Sequence, residues 1–362
     1  GWDQFRIREF ENNTEHGGFF IRGHNSAKIS NSKTEIKVES DHGRLSFDTN
    51  TGRLKQIRFG DRDMMASSPQ LNVWRAPTDN DGLKAWIGNE EKSVSNLISV
   101  CTLSRWLKAG LDQIRLTKER CNVSEVFTRR DSSAESGQKQ PGLTSLEQNL
   151  ERSLLHIEVE QCYSCGSISE AFVHHTIWHV FPDLSLWMEN MVMVHEELND
   201  LPRIGISFQL QEGFEEFEWF GNGPHESYCD RMAGVRVGRF HSTVNEQYVP
   251  YIVPQEHGNK TGLRWIILKD VNCSGLFISG SGLFEGSVSH YPDEHLYSTS
   301  HAYRLQSHPE TSVYLDYRQR GLGTGSCGPD TLEQYLIPSG IHHFDYVFRP
   351  FDQRKKDPEE LF

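Results

Sequence analysis

The sequence predicts a large all-β protein, an antiparallel sandwich with one short helix. Three observations carry this. Apolar and polar residues alternate over short runs, as in Leu155, Ile157 and Val159 and again in Ile204, Ile206, Phe208 and Leu210; a period of two marks a strand with one buried face. Turn residues recur about every eight to twelve positions, the spacing of sandwiches and barrels. Strands do not alternate with long helical patterns, which argues against a parallel sheet.

Residues 1–36 open with a strand-like stretch from Trp2 to Ile7 and continue through a segment rich in Asn, Gly, His and Ser. They read as a linker or as the edge of a preceding domain. The sandwich is expected over residues 37–350. Leu45 and Phe47, the turn Asn50-Thr51-Gly52, then Leu54, Ile57 and Phe59 form a hairpin signature. Residues 71–74 are a strand that delivers the polar segment Arg75-Ala-Pro-Thr-Asp-Asn-Asp-Gly82. Val94, Leu97, Ile98 and Cys101 recur at helical spacing behind Ser93, which predicts one short helix ending before Gly110. Residues 127–150 are poor in apolar side chains and read as a mobile surface insertion. Beyond them strands are expected near residues 171–180, 184–194, 263–268, 275–279, 313–317 and 343–348, and residues 351–362 form a charged tail.

A chain of 362 residues buries roughly three quarters of its unfolded surface and needs no metal or disulfide to fold. Its formal charge of -13 argues against nucleic acid or an anionic membrane as a partner, because both require a basic face. No stretch approaches the roughly 20 apolar residues of a membrane helix. The seven cysteines are odd in number and scattered, which is not a disulfide framework and suits a reducing compartment, with the cytoplasm expected and the periplasm or secretion left open. Cys162 and Cys165 have the spacing of half a zinc or redox site, with no second pair to complete it.

The densest chemistry lies between Trp219 and Asn259. A strand end, Trp219-Phe220, runs into a Gly-Asn-Gly-Pro turn that carries His225, Glu226, Tyr228, Asp230 and Arg231; a second loop presents Glu256, His257 and Asn259 between Pro254 and Lys260. Polar loops punctuated by Gly and Pro commonly carry function on a rigid scaffold. The competing structural account is that Glu226 and Arg231 form an ion pair bracing the loop. Glu215, Glu216 and Glu218 are spaced like a solvated strand face, and Asp79 and Asp81, flanking Asn80, suit loop bracing better than shared catalysis.

Three blocks occur in order: Arg75 to Gly82, Trp219 to Arg231 with its continuation to Asn259, and Gly321-Leu-Gly-Thr-Gly-Ser-Cys-Gly-Pro329. In these blocks the chain resembles the C-terminal domain of family 2 β-galactosidases, a separate small subunit in two-chain members, and the resemblance covers nearly the whole sequence. It implies a supersandwich of the galactose mutarotase type. It implies that the acid/base and nucleophile glutamates lie on a (β/α)8 barrel elsewhere, as do most magnesium and sodium ligands, so no catalytic residue, metal or cofactor is assigned to this chain. It implies partners: the barrel domain or large subunit, a galactoside, and further copies in an oligomer. Arg75, Asp79, Asn80, Asp81 and Gly82 match a loop near the barrel mouth that moves as substrate binds, with Gly82 at its hinge and with Asp79 and Asn80 capping the loop's own backbone donors. Family members place an aromatic side chain from the third block against the sugar; the matching position here is Cys327, a departure that puts this stacking contact in doubt. Two rivals remain from the residues themselves: a free-standing carbohydrate-binding module, which requires a solvent-facing aromatic platform, and an aldose 1-epimerase-like enzyme, which requires a pocket holding one histidine and one carboxylate.

Overall fold

The computed structural model describes residues 27–83, 101–125 and 153–354. A five-stranded antiparallel meander comes first: β1 (Lys28–Asn31), β2 (Glu35–Ser40), β3 (Gly43–Asp48), β4 (Leu54–Phe59) and β5 (Arg62–Asp63). The linker expected over residues 1–36 therefore already contains β1 and the start of β2. A twelve-stranded antiparallel sheet follows. It comprises β6 (Gln70–Asn72), β7 (Arg115–Glu125), β8 (Leu155–Cys165), β9 (Ile168–Val180), β10 (Leu186–Val194) and β11 (Arg203–Leu210), then β12 (Glu216–Gly223), β13 (Arg236–Thr243), β14 (Lys260–Lys269), β15 (Ser274–Ser289), β16 (Thr311–Gln319) and β17 (Gly340–Asp352).

The path of the large sheet is β13-β12-β14-β15-β17-β10-β9-β8-β7, with β16, β11 and β6 branching from β15. The branch lies within one strand. The first part of β15 (residues 274–279) pairs with β17, and its last part (285–289) pairs with β16. The two sheets enclose the main core. Ile36, Val38, Leu45, Phe47 and Leu54 from the meander meet Ile157, Trp178, Met188 and Phe348 from the large sheet. Gly52 sits at this interface, where a Cβ would come within 2.4 Å of Val159.

Two α-helices occur among the described residues, one more than expected. α1 (Thr102–Ala109) ends before Gly110 as expected, but Cys101, expected within the helix, is its N-cap; Ser93, Val94, Leu97 and Ile98 lie outside the described residues. Ser104 Oγ accepts from the Cys101 amide and donates to its carbonyl, which closes the first turn. Leu103 and Trp106 then pack into a second core with Leu71, Tyr163, Phe172 and Ile204. α2 (Asp293–Ser298) is a short helix after β15. The expected insertion at 127–150 and most of the tail also lie outside the described residues. β13 was not foreseen. It flanks β12, and that pairing overturns the expectation of a solvated acidic face: Glu218 is buried, with Arg239 from β13 and Lys269 from β14 closing over its carboxylate.

Candidate functional site: a junction of four loops

The three sequence blocks and the 254–259 segment meet in space. β6 hands the chain to Arg75, which is fully buried. Its guanidinium grips both oxygens of buried Asp81, at 2.9 and 3.0 Å, and donates to the Arg320 carbonyl at 2.5 Å. A two-pronged contact of this kind fixes orientation as well as distance. Asp81 also accepts from the Thr78 amide (2.8 Å) and hydroxyl (2.9 Å), so residues 79–81 coil into one 3-10 turn. Gly82 follows at φ 115°, where a Cβ would lie 2.3 Å from Cys101 Sγ; both facts demand glycine.

The cap expected from Asp79 and Asn80 is thus supplied by Asp81. The Asp79 amide donates to Gln255 Oε1 at 3.0 Å. Asn80 reaches across to the third block, where its Oδ1 accepts from the Ser326 amide at 3.2 Å. Gly325 lies so close that a Cβ would sit 2.5 Å from the Asn80 carbonyl oxygen. Loops 79–82 and 323–328 are therefore zipped together, with the exposed thiol of Cys327 beside the seam.

The Trp219–Arg231 block anchors that seam from the other side. The Gly223–Pro224 peptide is cis. Asp230 accepts from the Leu322 amide (3.0 Å) and the Gly323 amide (2.7 Å), and Arg231 donates to the Gly323 carbonyl. Glu226 accepts from the Tyr251 hydroxyl (2.6 Å) and the Gly258 amide (2.8 Å). The suggested Glu226–Arg231 ion pair is replaced by these contacts, because each side chain braces a different loop. His225 is exposed and Tyr228 is buried. Asn259 donates to the Ser227 carbonyl (2.9 Å) and to Glu285 (2.8 Å), and His257 is buried with Nδ1 2.9 Å from the Gln255 carbonyl.

Beneath the loops lies a polar layer that the sequence did not announce. Arg320 pairs with Asp200 and Asp330 and donates to Thr331 Oγ1 at 2.6 Å; Arg105 of α1 adds a second cation to the same two carboxylates, each at 2.9 Å. Burial alone would raise the Asp330 pKa, but hydrogen bonds from Arg320 and Arg105 hold it well below the usual carboxylate range. Trp106 lies under both neighbouring guanidinium groups, Arg75 at 5.5 Å and Arg320 at 5.8 Å. A few ångströms on, Arg203 contacts Glu256 (2.6 Å), Asp293 (3.5 Å) and Asp316 (3.7 Å). Burial pushes Glu285 and Asp316 up to about 7, offset only in part by the Asn259 hydrogen bond at Glu285 and by Arg203 at Asp316, and it raises Asp293 as well. Gln319 joins the two layers, accepting from Arg75 at 3.4 Å and donating to Glu256 at 3.2 Å. One signal in the sequence pointed to this layer: Arg203 opens an otherwise apolar strand, and a buried arginine requires partners.

The chain is thus a β-sandwich domain that gathers its polar loops at one junction, over a buried ionic base. Residues 39–349 match the family described as β-galactosidase small chain, and the chain belongs to that family. It is similar to the β-galactosidase of Actinobacillus pleuropneumoniae, 28% identical over 332 residues that make up 89% of this chain and 28% of that protein. The β-galactosidase of Priestia megaterium is 26% identical over 316 residues, 87% of this chain and 26% of that protein. The chain spans about a quarter of the length of these curated relatives. Among solved structures, a galactose 1-epimerase from Lactobacillus acidophilus superposes with a TM-score of 0.41 at 9% identity, covering 91% of this chain and 98% of that one. A galactose mutarotase-like protein from Lactobacillus casei gives 0.40 at 9% identity, covering 88% and 100%. Superpositions this loose carry no functional argument.

Proposed function

We propose that this chain is the small-chain portion of a family 2 β-galactosidase that hydrolyses terminal non-reducing β-D-galactosides with retention of configuration. In this reading it supplies a pocket wall and a moving loop, and a barrel domain or large subunit supplies the two catalytic carboxylates. The supporting observation is the zipped pair of glycine-bearing loops on a buried ionic base. Gly82 allows movement at one end, while Asn80 and Ser326 hold the two tips together. Closure of such a wall excludes water and completes a pocket. The acids beneath the loops suit this division of labour. Asp81, Glu256 and Asp316 are buried and engaged by Arg75 or Arg203, whereas a retaining pair must flank a sugar at roughly 5 Å.

Magnesium and sodium fall to the partner in this account, as the resemblance implies. All seven cysteines are unpaired, which suits the reducing cytoplasm. No helix among the described residues is long and apolar enough to cross a membrane. Of the rival readings, an epimerase built on the 225–259 loops would draw on His257 and Glu256, which are both buried, and on Glu226, which is taken up by the Tyr251 hydroxyl and the Gly258 amide. The binding module needs an aromatic platform, and among the described residues Tyr303 is the one large aromatic on the exposed surface.

The test is hydrolysis of a chromogenic β-galactoside in magnesium and sodium buffer. The expected result is no turnover by the purified chain and turnover when the large fragment is added back. Robust turnover by the chain alone would overturn the proposal, because the catalytic carboxylates would then have to be among the acids placed here in structural pairs.

A further inference from the structure

A cleft of about 930 Å3 lies against the large sheet, and it shares no residue with the loop junction. Its floor follows from strand register. Glu158, Ile177, Glu189 and Asp345 stand in one row across β8, β9, β10 and β17. They alternate along their strands with Ile157, Trp178, Met188 and Tyr346, which fill the core, so this row faces the opposite way. His175 and Met191 belong to the next row on the same face.

The floor is amphipathic and its polar groups are oriented. The Trp187 ring stacks on His179, with centroids 4.7 Å apart, and its indole N–H donates to Asp345 Oδ2 at 2.8 Å. Ser281, from neighbouring β15, also donates to Asp345. Glu189 lies 3.2 Å from His179, and Glu160 lies 3.6 Å from His175. Each carboxylate is held by a neighbour and keeps acceptor capacity, because an ionised carboxylate offers about four lone-pair sites. Ile177 and Met191 give an apolar strip between them, and Leu283 adds an apolar edge that is 53% exposed.

We infer that this cleft binds a neutral saccharide of about one to three pyranose rings. The part-buried, stacked rings of Tyr317 and Phe344, which also line the cleft, and the Ile177–Met191 strip suit the C–H face of a pyranose, and fixed carboxylates accept hydrogen bonds from its hydroxyls. The lining sets Glu158, Glu160, Glu189 and Asp345 against Arg120, and this excess of negative charge repels phosphorylated or sulfated sugars. The volume lies near the upper end of the roughly 300–1,000 Å3 found for small-molecule sites.

The experiment is saturation-transfer NMR and titration calorimetry on the purified chain with lactose, galactose 6-sulfate and tetramethylammonium. Lactose is expected to bind with a Kd on the order of millimolar, as an open cleft with few contacts allows, and the sulfated sugar is expected to bind at least about ten-fold more weakly. Glu189→Gln and Asp345→Asn should each weaken lactose about ten-fold or more, while Glu246→Gln, on the far β13 turn, should leave it unchanged. Glu189 is half exposed, so its variant carries the test if Asp345→Asn misfolds. Three results would overturn the inference: no lactose binding, lactose binding insensitive to both cleft variants, or binding of the ammonium ion without the sugar. The outcome is independent of enzyme reconstitution, since a chain that binds lactose yet never restores turnover keeps the cleft and loses the small-chain reading.

Discussion

Two ionic clusters lie beneath the loops, one balanced in charge and the other rich in carboxylates. Around Arg75 and Arg320 the guanidinium groups of Arg75, Arg105 and Arg320 face the carboxylates of Asp81, Asp200 and Asp330. Around Arg203 a single guanidinium faces Glu256, Asp293 and Asp316, with Glu285 close behind. The first cluster is balanced and closely paired. The second leaves Arg203 Nε and Nη1, Asp293 Oδ2 and Asp316 Oδ1 without hydrogen-bond partners, and it relieves its excess charge by holding carboxylates partly protonated. Balance makes a clamp; imbalance makes carboxylates that titrate near neutrality. The 79–82 and 323–328 loops rest on the clamp.

The sharpest way to break this contrast is to unbalance the clamp. Arg75→Met leaves Asp81 buried without its main partner and should cost about 3–5 kcal/mol, read from the midpoint of urea unfolding. A loss below about 1 kcal/mol would mean that the loop is held by its backbone contacts alone. The second test bears on the titrating cluster. Glu285 has a folded pKa of about 7 against an ordinary value of 4.5, so between those values the folded state binds more protons than the unfolded one. Its contribution to stability is complete below pH 4.5 and is lost as pH rises through 7. Glu285→Gln keeps the acceptor for Asn259 and removes this loss. At pH 8 it should gain roughly 2–3 kcal/mol, and near pH 4.5 it should gain nothing. An unchanged stability profile between pH 4.5 and 8 would show that Glu285 is ionised throughout. The smallest effect belongs to the seam above the clamp. Asn80→Ala removes one neutral hydrogen bond and should cost about 0.5–1.5 kcal/mol, with faster amide exchange at Ser326 and normal exchange in β10 and β17.

The contrast also explains what the sequence could and could not reveal. Strands were legible where apolar residues alternate with small or polar ones: Leu45 and Phe47 flank Ser46, and Ile204 to Leu210 alternate with Gly205, Ser207 and Gln209, although Ser46 and Gly205 are themselves buried. β13 escaped because Arg236, Gly238, Arg239 and His241 interrupt its apolar residues, since it lies at the sheet edge with little to bury. The three polar blocks were legible as blocks, and the structure brings them together. Their internal wiring was not, because a carboxylate's partner is set by tertiary approach. Asp81 rather than Asp79 caps the first loop through contacts with residues 3 and 6 positions away. Asp230 finds its donors 92 and 93 residues downstream. The acids of the Arg203 cluster come from α2, β15, β16 and the 254–259 loop, so no local pattern could gather them.

The forked strand β15 has a consequence for how the domain comes apart. One half is stitched to β17, which carries Asp345 in the cleft floor, and the other half to β16, which leads to Gln319 and Arg320 beneath the loops. Both ladders run through this one strand, so loosening either strains the other. Cleft and junction therefore belong to a single cooperative unfolding unit, and any change that loosens one is felt as a lower melting point by both.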